Sequence, residues 1–185
     1  MSAPIEARSL LILGLGNVLC GDDGLGVAAV ELLRRQYRVP ERVRVVDGGT
    51  LGLALLSQFA PTDDAILVDA VRTDDPPGSL VRLEGDDVGP AVRGRLSCHQ
   101  VGVAELLDAL RWLGSYPRHV TLVGLVPETL DVQVARSAAV ERQIPALVEH
   151  VVTEANRLGY ELLPTTAGGM VPSGGRGSAA RALGL

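Results

Sequence analysis

The residues best suited to chemistry stand at the ends of apolar runs. "SLLILGLGN" (9–17) leads into Gly21-Asp22-Asp23-Gly24, and "RVRVVDGG" closes on Asp47-Gly48-Gly49. "DAILVDAV" carries Asp69, and "HVTLVGLVPE" closes on Pro127-Glu128. Separate apolar strands that each end in an acid suggest a cation site. Asp69 is the hardest to assign a purely structural role, because a carboxylate closing an apolar strand is desolvated unless it is paired or metal-bound. Asp22 or Asp23 can cap the helix that follows, and with two in a row one stays free. Asp47 before Gly-Gly also fits turn chemistry. His99 lies near a helix start, which disfavours the protonated ring, and a metal ligand must be neutral. A lone histidine is nevertheless more often structural. His119 reads as a surface residue opening a strand, and His150 beside Glu149 as exposed. Cys20 and Cys98 read by default as small buried hydrophobes.

Several other chemistries are absent from the sequence. The stretch "GLGNVLCG" follows a strand and precedes a helix, but it lacks the third glycine of a dinucleotide fingerprint. Asp22 and Asp23 would repel a pyrophosphate at that helix start. The chain contains no lysine, hence no phosphate-loop lysine, and has neither a Gly-x-Ser-x-Gly elbow nor a His-Glu-x-x-His motif.

These residues need a scaffold, and the apolar patterning supplies one. Strands are expected at 9–17, 42–49, 64–71, 79–85 and 119–128, and helices at Leu25–Tyr37, 50–60, His99–Leu113 and from Ser137 to about Asn156. Thr50, Ser97 and Ser137 are the expected N-caps, with Pro145 bending the last helix and a loop leading up to Ser97. The turn "RTDDPPG" (72–78) is too short for a parallel crossover, so the strand after it should run antiparallel. The order βαβαββαβα predicts an α/β fold of three layers: a mostly parallel five-stranded sheet with one antiparallel strand and helices on both faces. Residues 1–8 read as a polar lead-in, 9–163 as one domain, and 164–185 as a disordered Gly/Ser/Ala-rich tail.

Length and composition agree with a single soluble domain. The chain has 185 residues, 46% of them hydrophobic and only 3% aromatic, so aliphatic side chains must fill the core. A net charge of -5 argues against bulk nucleic-acid binding. Two cysteines make no disulfide framework, and the first apolar run is too short to span a membrane. A cytoplasmic protein with no membrane partner is expected.

The segments "GLGNVLCGDDGLGV", "DGGTLGLALL", "ILVDAV", "SCHQVGVAELLDALRWLG" and "VTLVGLVPETL", in that order over residues 9–163, resemble the hydrogenase maturation endopeptidases. The resemblance implies a protease that removes a C-terminal peptide from the precursor of a nickel-iron hydrogenase large subunit after nickel insertion. It implies Asp23, Asp69 and His99 as metal ligands, and Asp47 as a residue tied to activity. The nickel would be borne by the substrate, and zinc or cadmium could occupy the same oxygen and nitrogen donors in vitro. Cys98 stands where relatives often have proline and carries no implied role. A monomer that docks on the precursor is expected. Two other readings remain open: a nickel sensor that binds loaded precursor without cutting it, and a nucleotide-binding α/β protein using the glycine loop.

Overall fold

The computed structural model describes residues 8–60, 62–93 and 101–165. Along the chain these form β1 (Leu10–Leu15), α1 (Leu25–Gln36), β2 (Tyr37–Arg38), β3 (Val43–Gly49), α2 (Leu56–Phe59), β4 (Asp64–Ala70), β5 (Leu80–Glu84), α3 (Val88–Arg93), α4 (Val101–Trp112), β6 (His119–Leu125), α5 (Ala138–Arg157) and β7 (Leu163–Pro164). Five strands make one sheet in the order β3-β1-β4-β6-β5, with every pairing parallel except the antiparallel β5–β6 pair. The expected antiparallel strand is therefore β5, at an edge.

Both faces of the sheet are covered. Leu10 and Ile12 pack with α1 and α5, while Leu11, Leu13 and Leu15 pack with α2, α3 and α4. Burial on both sides is why β1 and β4 read as unbroken apolar runs rather than alternating ones. Every residue of β4, the central strand, is buried, including Asp64 and Asp69 at its two ends. On α5, Val140, Ile144, Leu147, Val148, Val151 and Ala155 form the stripe that faces the sheet. Ser137 caps this helix as expected, its side chain accepting the N–H of Val140 at 3.2 Å.

The structure corrects three local expectations. Thr50 caps nothing: Gly52 turns the chain at φ 51°, a 3-10 turn occupies Gly52–Leu55 after Leu51, and α2 follows. The first helix stops at Gln36, because Tyr37 and Arg38 pair antiparallel with Leu163 and Pro164. The stretch expected as a loop before Ser97 opens with a 3-10 turn (Gly85–Asp87) and α3. Gly89 and Pro90 make this a poor helix by propensity. It forms because Val88 and Val92, four residues apart, are both buried in the core. Ser97, Cys98, His99 and residues 166–185 lie outside the described residues. Among those described, no helix is long and apolar enough to cross a membrane.

Candidate functional site

In an open parallel sheet, ligands bind beyond the carboxyl ends of the strands, where successive connections leave in opposite directions. The chain goes from β1 to β3 on one side of β1, then crosses to β4 on the other. Its helices follow suit, with α1 on one face and α2 on the opposite one. The crevice therefore opens between β1 and β4. The loop after β1 carries Asp23, and Asp69 is the penultimate residue of β4.

Glycines bring these two segments together. A Cβ on Gly26 would lie 2.1 Å from the Val68 carbonyl oxygen and 2.4 Å from that of Leu15, so only glycine lets α1 begin directly against both strands. Gly16 has φ 116°, and its Cβ position is 1.7 Å from the Asp23 carbonyl oxygen. The glycine loop thus closes on its own backbone, as the Gly16 contact with Asp23 shows.

Neither aspartate of the Gly21–Gly24 3-10 turn caps α1, whose N-cap is Gly24 with no side-chain cap bond. Both point inward instead. Asp23 is 1% exposed; its Oδ2 accepts the N–H of Asn17 at 2.7 Å, while its Oδ1 is buried with no hydrogen-bond partner among the described residues. Asp69 is also 1% exposed, and its Oδ1 accepts the N–H of Ala70 at 2.7 Å. Asp47 differs: it is exposed, and its Oδ1 accepts the N–H of Gly49 at 2.9 Å, the expected turn contact. It lines a hollow of about 160 Å³ with Asn17, the residue whose amide holds Asp23. Glu128 is exposed, and Cys20 is half-buried rather than a core residue. Among the described residues no three acid, histidine or cysteine side chains converge on a point; the expected third ligand, His99, lies outside them.

Over residues 27–154 the chain matches the family model described as hydrogenase maturation protease. The chain belongs to the hydrogenase maturation protease family. It is 37% identical over 159 residues to the hydrogenase 2 maturation protease of Escherichia coli strain K12, covering 85% of this chain and 97% of that protein. It is 42% identical over 129 residues to the hydrogenase expression/formation protein HoxM of Azotobacter vinelandii, covering 69% of this chain and 62% of that protein. The structure of the hydrogenase maturating endopeptidase HybD from E. coli superposes with a TM-score of 0.81 at 37% identity, covering 85% of this chain and 98% of that one.

In this hydrogenase maturation protease, the opposite edge of the sheet holds a second polar cluster that the sequence did not reveal. Asp64, fully buried at the start of β4, accepts from Arg8 (2.6 and 2.7 Å), from Tyr160 (2.5 Å), and meets Nδ1 of His119 at 2.6 Å. Burial pushes the Asp64 carboxyl upward, but hydrogen bonds from Tyr160, His119 and Arg8 outweigh it and hold it below the usual carboxylate range. His119 is exposed as expected, yet paired. His150 is exposed. A hollow of about 440 Å³ beside this cluster, lined by Tyr116, Arg118, His119 and Arg157 among others, is larger than the one at Asp47. Its size does not make it the active site: Arg157 is paired with Glu154 and Glu84, Arg118 with Asp63, and it faces away from the crevice. One contributor at the crevice itself was missed from sequence, the amide of Asn17; Asp22 was expected as a helix cap or a free acid, and its carboxylate instead accepts amides of the loop after β6. The adjacency of Asn17 to the Gly14–Gly16 turn was the available signal for that amide.

Proposed function

We propose that this maturation protease removes a C-terminal peptide from the nickel-loaded precursor of a nickel-iron hydrogenase large subunit, reading the nickel through Asp23, Asp69 and His99. One observation carries the reading: a buried carboxylate oxygen on Asp23, unpartnered among the described residues, at the switch-point crevice, in the loop after the strand that neighbours the one carrying Asp69. Such an oxygen costs stability unless something binds it, and a divalent cation is a fitting partner. Two carboxylates and one imidazole leave coordination positions for groups of the precursor.

The nickel belongs to the substrate, and its chemistry is to polarise the scissile carbonyl or acidify a water. Asp47 does the rest. Gly49 N–H fixes one of its oxygens, and the other has no partner among the described residues. Exposed at the rim, Asp47 orients the attacking water and accepts its proton. The enzyme works in the cytoplasm as a monomer, and zinc or cadmium can occupy the site in vitro.

The test is intact-mass analysis of nickel-loaded and nickel-free large-subunit precursor, each with and without this protein. Loss of a C-terminal peptide from the loaded form alone is expected. Binding of loaded precursor with no mass change would make the protein a nickel sensor and remove Asp47 from catalysis.

A further inference from the structure

Asp22 is fully buried and, among the described residues, has no cationic partner; its charge is held by backbone amides. Oδ2 accepts the N–H groups of Glu128 (2.8 Å) and Thr129 (3.2 Å), and Oδ1 accepts that of Ser137 (2.6 Å). Those donors lie at the two ends of the loop between β6 and α5. The main chain ties the same two segments: Asp22 N–H donates to Thr129 C=O, Gly21 N–H to Gln133 C=O, and Gln133 N–H to Leu19 C=O. Hydrogen bonds to an ionised carboxylate are roughly twice as strong as neutral ones. The Asp22 side chain, alongside these main-chain bonds, therefore holds both ends of the β6–α5 loop to the short turn that precedes α1.

The next residue on that turn is Asp23. Its Oδ2 is tethered by Asn17, so the direction of its free Oδ1 depends on how the backbone of 21–24 is held. We propose that Asp22 is a positioning residue: it clamps the β6–α5 loop to the ligand-bearing turn and so sets where the free oxygen of Asp23 points. This rests on reading Asp23 as a nickel ligand. Asp22 touches neither metal nor substrate; it acts through its neighbour.

The test compares wild type, Asp22→Asn and Tyr160→Phe, all well below their melting temperatures. Tyr160→Phe removes a hydrogen bond at the opposite edge and serves as a destabilised control. Nickel ions alone are titrated by calorimetry, hydrogen exchange is followed at the Asn17 amide, and precursor cleavage is split into kcat and KM. Asp22→Asn is expected to weaken nickel binding about 10- to 100-fold, to expose the Asn17 amide to exchange, and to lower kcat more than it raises KM. Tyr160→Phe should lower only the melting temperature. If Asp22→Asn keeps wild-type nickel affinity and Asn17 protection while merely melting earlier, Asp22 is a structural residue and the proposal fails. If Asp22→Asn does not fold, Ser137→Pro takes its place, since Ser137 has φ -61° and the substitution deletes one N–H to Asp22. Ser137→Ala keeps that N–H and separates loss of the helix cap from loss of the clamp. Should wild type bind no nickel, the ligand reading falls, and Asn17 protection with kcat still decides the role of Asp22.

Discussion

Replacing Asp23 by asparagine should move stability and function in opposite directions. The carboxylate is 1% exposed, with one oxygen satisfied by Asn17 and the other by no described residue. Burying a polar atom without a partner costs about 1–3 kcal/mol, more when it is charged. Asparagine keeps a carbonyl oxygen for the Asn17 N–H and puts a neutral amide where Oδ1 stood. The metal-free variant should therefore gain about 1–2 kcal/mol, which in a domain of this size raises Tm by roughly 2–8 °C. Nickel should reverse the order, because a ligand at a hundredfold excess over Kd adds about 2.7 kcal/mol to the form that binds it. Differential scanning calorimetry in chelator and then in excess nickel gives both numbers. Wild type above the variant in chelator, with equal nickel shifts in both, would refute the reasoning, since Oδ1 would then be a structural group.

The other expectations concern separate parts of the molecule. Asp47→Asn keeps the acceptor for Gly49 N–H, so nickel affinity should hold while precursor cleavage falls about 10²–10⁴-fold; equal losses in both assays would place Asp47 among the ligands instead. Gly26→Ala sets a Cβ against two backbone carbonyls that cannot yield, so α1 must shift, costing about 1–3 kcal/mol in a urea titration and weakening nickel binding at Asp23. Glu154 should contribute to the loss of stability in acid. Burial pushes its carboxyl up, but hydrogen bonds from Arg157, Arg82 and Thr121 hold it at about 2, down from 4.5. Its stabilising contribution is thus complete above pH 4.5 and fades as pH falls toward about 2. The gap in urea midpoint between wild type and Glu154→Gln should close over that window, and parallel curves would show that the Glu154 pairs contribute nothing.

Much of the fold was legible in the linear pattern, because each local cue agreed with the global one. Unbroken apolar runs marked β1 and β4 as buried on both faces, the short 72–78 turn forced β5 antiparallel, and Ser137 announced α5. The burial of Asp69 was legible, since it lies in an apolar strand where an acid loses its hydration and needs partners. Local cues failed where tertiary contacts outweighed propensity. The α3 helix forms against Gly89 and Pro90 because two valines find the core, and Tyr37 leaves its helix because β7 offers a strand partner. Sequence spacing also could not assign Asp22 and Asp23. Adjacent acids before a helix look alike, and only folding sends one carboxylate to three amides of a loop that is remote in the chain while burying an oxygen of its neighbour that no described residue satisfies. The acids at strand ends were written in the sequence; that the loop carrying Asp23 and the strand carrying Asp69 are neighbours was decided by strand order, since only the reversal of direction about β1 places β1 beside β4.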